Sequence, residues 1–481
     1  MQGFGAARPR SRPSPIIAPP PLVGRSQASA PAGARGDGRS PKPASGQGPE
    51  PARLDGRLRP GLLAALALLL AAPPAAAAVS YVHAGRLVDP EHGRVIADRL
   101  IRIEDGRVAS VTEWRGPPAD GPVVDWSGYQ VLPGLIDMHV HLADFGDTNN
   151  VAEPLLHSTE EIAYVGARNA RLTLMAGFTS VHDVGCYRAF ADTALRDAIE
   201  RGDVVGPRMS AVGAYITAPG GGGEVTGFAP DVKLPDDMRA GVVVDANDAR
   251  LKVDYLFQHG ADSIKLIATG AVLTEGTEPG QQELTEDEMR AAVVAAAEHG
   301  SWATAHAHGA EGIKAAIRAG VRAIEHASLI DDEGIALAKA RGVWLDMDIY
   351  NGDYIDKVGR KNGWPASELR KNDETTQAQR EGFRKAVKAG VKMTFGTDAG
   401  VYPHGLNARQ FRYMVRWGMT PMQAIQAATV NAAALLGWSA KVGEISPGHY
   451  ADMIAVQGDA LADIGVLEHV SHVMKGGEVV K

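Results

Sequence analysis

The chain of 481 residues holds a single cysteine, Cys186, which excludes an intramolecular disulfide and a cysteine-built zinc cluster. It also lacks an apolar run of the ~18 residues that a membrane helix requires; the longest candidate, Gly61 to Ala72, falls short. Positive charge is scarce beyond residue 60. Residues 1–60 carry ten Lys and Arg against three Asp and Glu, so a formal net charge of −8 leaves about −15 on the remainder. A body this acidic excludes nucleic acid as the expected partner. No sequence repeat of fixed period is present. What is present is a hydrophobic fraction of 45%, enough for a large core. The length suits a barrel of about 250 residues with a satellite domain.

The two ends differ from the body. Residues 1–57 are rich in Pro, Arg, Ala, Gly and Ser and lack periodic apolar positions, so they read as a disordered extension. Residues 58–78 combine Arg57-Leu58-Arg59, the short apolar run and Pro73-Pro74-Ala75-Ala76-Ala77-Ala78, the pattern of a cleaved secretory signal. An uncleaved anchor or an Ala-rich linker is the alternative. The expectation is a secreted or periplasmic protein with no membrane attachment after signal removal. Because a signal so far from Met1 is unusual, the true start is expected downstream, with a mature terminus near Val79.

From residue 131 a short apolar strand, a polar strand end and an Ala-rich helix recur. Strands are expected at 131–140, 179–184, 208–212, 262–268, 302–307, 322–325, 343–348 and 392–397. Helices are expected at 158–176, 189–201, 245–259, 285–299, 310–319, 331–341 and 376–389. Ser158-Thr159-Glu160-Glu161 and Thr285-Glu286-Asp287-Glu288 read as capping boxes. Alternating units of this kind predict an α/β fold, a (β/α)8 TIM barrel over 131–437 whose site lies at the C-terminal strand ends. Short strands at 79–130 and 438–481 predict a small composite β-sandwich domain built from both flanks.

The chemistry-bearing residues fall at those strand ends. His139 and His141 close the first strand, and residues i and i+2 share one face of a strand, so both imidazoles address the same space. Lys265 lies within Ser263-Ile264-Lys265-Leu266-Ile267, His306 ends the fifth strand, His326 the sixth and Asp398 the eighth. Nitrogen and oxygen ligands suit a divalent ion such as zinc in an open, catalytic site. A lysine among apolar neighbours is a costly buried charge. Either a salt bridge neutralises it, or carboxylation by CO2 converts it to an anionic ligand. Singly, His326 reads as a core histidine and Asp398 as a helix cap; six such residues on five strand ends read as a metal site.

Pro133-Gly134-Leu135-Ile136-Asp137-Met138-His139-Val140-His141, Lys265, His306-Ala307-His308-Gly309, Ile324-Glu325-His326 and Gly396-Thr397-Asp398-Ala399-Gly400 resemble the amidohydrolase superfamily. Gly443-Glu444-Ile445-Ser446-Pro447-Gly448-His449-Tyr450-Ala451-Asp452 resembles its returning β segment. The resemblance spans roughly 79–481, and His306-x-His308 with Tyr402-Pro403-His404-Gly405 favours the branch of metal-dependent Xaa-Pro dipeptidases and carboxypeptidases, which includes ochratoxin-hydrolysing amidases. It implies two divalent metals, zinc by expectation. His139, His141 and Asp398 would hold one, His306 and His326 the other, with carboxylated Lys265 between. It further implies Asp398 as proton carrier, His308 facing substrate, and a homo-oligomer. Thr179-Ser180-Val181-His182-Asp183 departs from relatives that carry arginine there, which leaves His182 without a role.

These features predict hydrolysis of an amide to a C-terminal amino acid, in a small-molecule N-acyl amino acid or dipeptide, with ochratoxin A as a candidate. Xaa-Pro dipeptidase activity, or lactone or phosphotriester hydrolysis at the same metals, is the alternative; a non-catalytic binding barrel is disfavoured by the complete ligand set. The Gly-rich segment 215–224 within 214–244 is expected as a substrate gate or a plain mobile loop. Tyr350, Tyr354 and Trp364, in a loop expected over 349–375, offer apolar contacts or ordinary packing.

Overall fold

The computed structural model describes residues 79–145, 150, 152–229 and 231–481. The expected extension at 1–57 and signal at 58–78 lie outside them. Among the described residues no helix is long and apolar enough to cross a membrane.

Both flanks meet in one mixed sheet. Strands β1 (Val79–Asp89), β2 (Arg94–Glu104), β3 (Arg107–Glu113) and β4 (Val123–Pro133) come from the N-terminal side, and β14 (Met453–Val456), β15 (Val470–Lys475) and β16 (Glu478–Val479) from the C-terminal side. Their order is β16-β15-β14-β4-β1-β2-β3, with β14 antiparallel to β4 at Ile454–Leu132 and Ala455–Val131. The sheet curls back on itself: Val108 N donates to His449 O at 2.9 Å and Ala451 N to Gly106 O at 2.9 Å. Val82, Ile101, Trp126, Met453 and Met474 fill the space between its halves. β1 and β2 form a longer hairpin than the sequence suggests, because Arg94–Ala97, exposed but for the half-buried Ile96, shows little hydrophobic signal.

The body supplies the barrel strands: β5 (Leu135–Val140), β6 (Phe178–Asp183), β7 (Arg208–Ala211), β8 (Tyr215–Ile216), β9 (Ile264–Ile267), β10 (Ala303–Ala307), β11 (Ala323–His326), β12 (Trp344–Asp346) and β13 (Met393–Thr394). Their ladders form a three-stranded parallel sheet, β5-β6-β7, and a six-stranded parallel sheet, β8 to β13. Single hydrogen bonds span the gaps. Asp262 N donates to Ala211 O at 2.7 Å, while Met138 N donates to Phe395 O and Asp398 N to His139 O at 2.9 and 2.8 Å. β7 and β8 are one strand position interrupted at Gly213, whose φ of 82° turns the chain where a Cβ would crowd the Phe190 ring. Eight strand positions result, each followed by chain that returns over the outside, which is the (β/α)8 architecture expected.

Helix starts follow the sequence closely. Ser158 and Thr285 each form a full capping box with Glu161 and Glu288. The largest departure is at 349–375, expected as a loop. It contains helical turns at Asn351–Tyr354, a π-helical turn at Ile355–Gly359, and the first ten residues of the helix Ala366–Ala389. Gly363 and Pro365 look like a loop signal, yet Gly363 (φ 74°) closes one helix and Pro365 opens the next. Tyr350 and Tyr354 pack against Tyr402 in the interior and Trp364 is buried, so these rings act as core and not as substrate contacts.

Candidate metal centre

The C-terminal strand ends open into a cavity of about 250 Å³. His139, His141, Lys265, His306, His308, His326 and Asp398 all line it, so every predicted site residue reaches one place. His306, His308 and His326 bring one ligand atom each within 4.8 Å of the others, and so do His139, His326 and Asp398. His326 is shared between the two groups. His308, expected only to face substrate, thus also stands at ligand distance.

Two positions reach the cavity by a route that strand periodicity does not show. On β11, Glu325 points into the barrel, where Thr304 Oγ1 donates to it at 3.0 Å. In regular β geometry the next residue, His326, would face away. Left-handed φ values of 64° at His326 and 49° at Ala327 turn the imidazole back into the cavity. Asp398 does the same with a φ of 56°. Such conformations cost about 1–2 kcal/mol per non-glycine residue. Surrounding bonds hold them: Ala327 N donates to Ala307 O at 3.0 Å, and Val401 N to Asp398 O at 3.1 Å.

Groups behind the ligands fix their tautomers. His141 Nδ1 donates to Gly185 O at 2.7 Å, directing Nε2 inward, 3.2 Å from Asp398 Oδ1. His326 Nδ1 donates to Asp348 Oδ1 at 2.9 Å, and His306 Nε2 to Gly270 O at 3.3 Å. Asp348 also accepts from Gln379 Nε2 at 2.8 Å and from Asn351 Nδ2 at 3.0 Å. Asn351 Nδ2 in turn donates to Asp398 Oδ2 at 2.8 Å, which leaves Oδ1 facing His139 and His141. None of Asp348, Asn351 and Gln379 was legible as a site residue; each is an ordinary polar residue in a segment read as strand end, loop or helix.

The electrostatics favour a cation at the centre. Burial depresses the pKa values of His139, His306 and His308 well below the usual value, keeping those rings neutral and able to coordinate. Burial opposes charge on His141 too, but its bond to Asp398 and the nearby carboxylates prevail and raise it to about 9. His139 Nδ1 is buried without a hydrogen-bond partner. Five imidazoles, neighbouring ring centroids 4.6–5.4 Å apart, beside a carboxylate, fit divalent metal. Lys265 is 2% exposed and pairs with Glu325, with burial lowering its ammonium to about 7. The salt-bridge alternative thus describes the lysine as it stands, and its amine lies among the ligand imidazoles.

His182 stays out of the cavity. It is buried, bonds Ser263 Oγ through Nε2 at 2.8 Å and packs on Trp302, a structural role. The Gly-rich segment does border the site through Gly222, Gly223 and Glu224. It is tethered there: Gly222 N donates to Glu283 Oε2 and Gly220 N to Glu224 Oε2, both at 2.7 Å, and Glu224 pairs with Arg239. Tyr215, Tyr187 and Phe145 supply the aromatic wall, with the Tyr215 hydroxyl 3.2 Å from His141 Nδ1. Glu368, Asn372, Thr375, Thr376 and Gln379 also line the cavity, from one face of the long helix.

Comparison with known proteins agrees with this geometry. The model of the Amidohydrolase family matches residues 130–480. An ochratoxinase of Aspergillus niger is 30% identical over 432 residues, covering 84% of this chain and 87% of its own length. Among solved structures, a Xaa-Pro dipeptidase with methionine bound in its active site superposes with a TM-score of 0.79 at 35% identity, covering 84% of this chain and 100% of that one. A prolidase complexed with N-methylphosphonate-L-proline gives 0.78 at 29% identity, covering 84% and 99%.

Proposed function

The chain belongs to the amidohydrolase family and is a hydrolase of amide bonds, and on that premise we propose that it releases a C-terminal amino acid from an N-acyl amino acid or dipeptide. Ochratoxin A, cleaved to ochratoxin alpha and phenylalanine, is the first candidate substrate, and Xaa-Pro dipeptides the second. The observation that carries this reading is the convergence of His139, His141, His306, His326, Asp398 and Lys265 on one cavity beside an aromatic wall.

His139, His141 and Asp398 would hold one divalent ion and His306 and His326 the other, with Lys265 joining them once CO2 has carboxylated its amine. Bound divalent ions, probed first as zinc, supply Lewis acidity that acidifies water and polarises a carbonyl. The chain's own residues do the rest. Asp398, held at Oδ2 by Asn351, takes a proton from the attacking water and delivers it to the leaving amine, which otherwise departs poorly. His308, with Nδ1 2.7 Å from the Ser328 hydroxyl, presents Nε2–H to the oxygen on which charge develops. Tyr187, Tyr215 and Phe145 keep the amide dry and receive an apolar side chain.

The test is chromatography of ochratoxin A incubated with the purified full chain, before and after chelation. Phenylalanine release that stops on chelation and returns with zinc is the expected result. A protein carrying about two zinc ions that cleaves neither ochratoxin A, N-acyl amino acids nor Xaa-Pro dipeptides would overturn the reading. Export with removal of residues up to about 78, and assembly into a homo-oligomer, are part of the same proposal. N-terminal sequencing of the protein from its host and light scattering test them; an intact Met1 or a monomer counts against each in turn.

A further inference from the structure

The cavity must also recognise a carboxylate if the substrate ends in a free amino acid, and its walls are poorly suited to one. Asp144, Glu153, Glu224, Glu275 and Glu368 all line it. Among the described lining residues the lysine and arginine side chains are Lys265, which is paired with Glu325 at the centre, and Arg188. Arg188 is the single arginine facing this space.

Its placement is specific. Gly185 O, which fixes the His141 ring, stands three residues before Arg188, so the arginine backbone lies within about 10 Å of the ligand shell. Tyr187 between them packs on Tyr215, whose hydroxyl touches His141. Arg188 Nε donates to Asp237 Oδ2 at 2.5 Å, an anchor from the turn Asp236–Arg239 within the 214–244 segment. That bond uses the inner edge of the guanidinium. The two terminal nitrogens make no hydrogen bond to described residues, and the side chain, 18% exposed, lines the cavity. A guanidinium oriented by one carboxylate, with two parallel N–H groups left over, is built for bidentate capture of another.

We propose that Arg188, oriented by Asp237, is the specificity residue that binds the free carboxylate of the substrate's C-terminal amino acid. The inference rests on the exopeptidase reading above. The acidic lining elsewhere turns the same carboxylate away, so one cation fixes which end of the substrate enters first and places the amide against the metal ligands. The turn Asp236–Arg239 acts through Asp237 as the support of this contact.

Arg188→Gln, Arg188→Lys and Asp237→Asn in the full metal-loaded chain test it, with melting temperature and metal content checked first. For an N-acyl amino acid, Arg188→Gln should raise KM about 10- to 100-fold. The KM ratio between that acid and its C-terminal carboxamide, large in the parent enzyme, should collapse toward one. Arg188→Lys should recover part of the difference. Equal losses on acid and carboxamide would make Arg188 a brace for the loop and overturn the proposal. Calorimetry with benzylsuccinate against 4-phenylbutanoate gives an answer independent of turnover. Selective loss of benzylsuccinate affinity in Arg188→Gln supports the anchor even if the amide panel fails. Unchanged affinity, or no preference for the dicarboxylate in the parent, overturns it even if the panel succeeds.

Discussion

Asp348→Asn is the most informative substitution behind the ligands, because one carboxylate there accepts three hydrogen bonds. Oδ1 takes His326 Nδ1–H at 2.9 Å and Gln379 Nε2–H at 2.8 Å, and Oδ2 takes Asn351 Nδ2–H at 3.0 Å. These partners, led by the His326 contacts, overcome burial and hold the carboxyl below the usual carboxylate range, so it is charged at every working pH. An asparagine has one acceptor oxygen. If that oxygen keeps His326 and Gln379, its NH2 meets the NH2 of Asn351, which must then flip. A flipped Asn351 presents its oxygen to Asp398 Oδ2, where it now donates at 2.8 Å.

The damage therefore arrives in two places. His326 exchanges a charge-assisted bond for a neutral one, and outer carboxylates of this kind are worth about 10–100-fold in metal affinity, or roughly 1.4–2.8 kcal/mol. Asp398 loses its orienting donor, so turnover should fall even at saturating metal. Zinc affinity measured by chelator competition, with kcat at excess zinc, separates the two. Gln379→Met removes one donor to Asp348 Oδ1 and leaves the carboxylate in place, and should cost much less on both. Zinc affinity within about threefold of the parent in Asp348→Asn would refute the claim that this carboxylate sets the His326 tautomer.

Asp398→Asn should lower turnover by about 10²–10⁴-fold; full metal occupancy with near-normal turnover would exclude Asp398 as proton carrier. Glu368 has a buried oxygen without a partner and its pKa, raised mainly by burial, stands at about 7 against a usual 4.5. A carboxyl raised this way keeps its proton in the folded state, so the parent sheds stability as pH rises from 4.5 to about 7. Glu368→Gln should therefore gain in melting temperature relative to the parent between about pH 5 and about pH 8, and a flat difference would contradict the burial. At Gly241 a Cβ would strike the carbonyl oxygen of Tyr215, which backbone cannot relieve by a rotamer change. Gly241→Ala should cost roughly 1–3 kcal/mol, read as a lower melting temperature, and should weaken catalysis through the Tyr215–His141 contact; an unchanged melting temperature would show that the loop yields freely.

The residues that meet in the cavity were legible because barrel strands are short apolar runs and the chemistry sits where each run stops. His139 and His141 follow from strand alternation alone. His326 and Asp398 were found by position and motif, but the left-handed turns that aim them were not visible, since neither residue type demands a positive φ. The segment 349–375 was misread because Gly363 and Pro365 mark a helix junction with the same residues that mark a loop. Its tyrosines, offered as substrate contacts or packing, face the interior, whereas the aromatic wall comes from Phe145 and Tyr187 on chain connections and Tyr215 on the two-residue β8, whose order in space no local pattern states.

What the sequence could not supply is pairing between distant strands, and the lysine shows why this matters. Lys265 was flagged as a buried charge in need of a partner, and its partner Glu325 sits sixty residues on, beside a residue already assigned to the metal. Because Glu325 takes the inward place on β11, His326 can reach the cavity only through a strained turn, so one position both neutralises the lysine and forces the ligand's conformation. Removing Glu325 would leave a buried ammonium unpaired, and removing Lys265 a buried carboxylate, each far costlier than a surface pair. The two residues are therefore tied to each other before any metal arrives. Carboxylation of Lys265, part of the proposed function, would replace its positive charge with a negative one beside Glu325, which is tolerable only with cations between the surrounding imidazoles. On that proposal metal loading and lysine modification would proceed together.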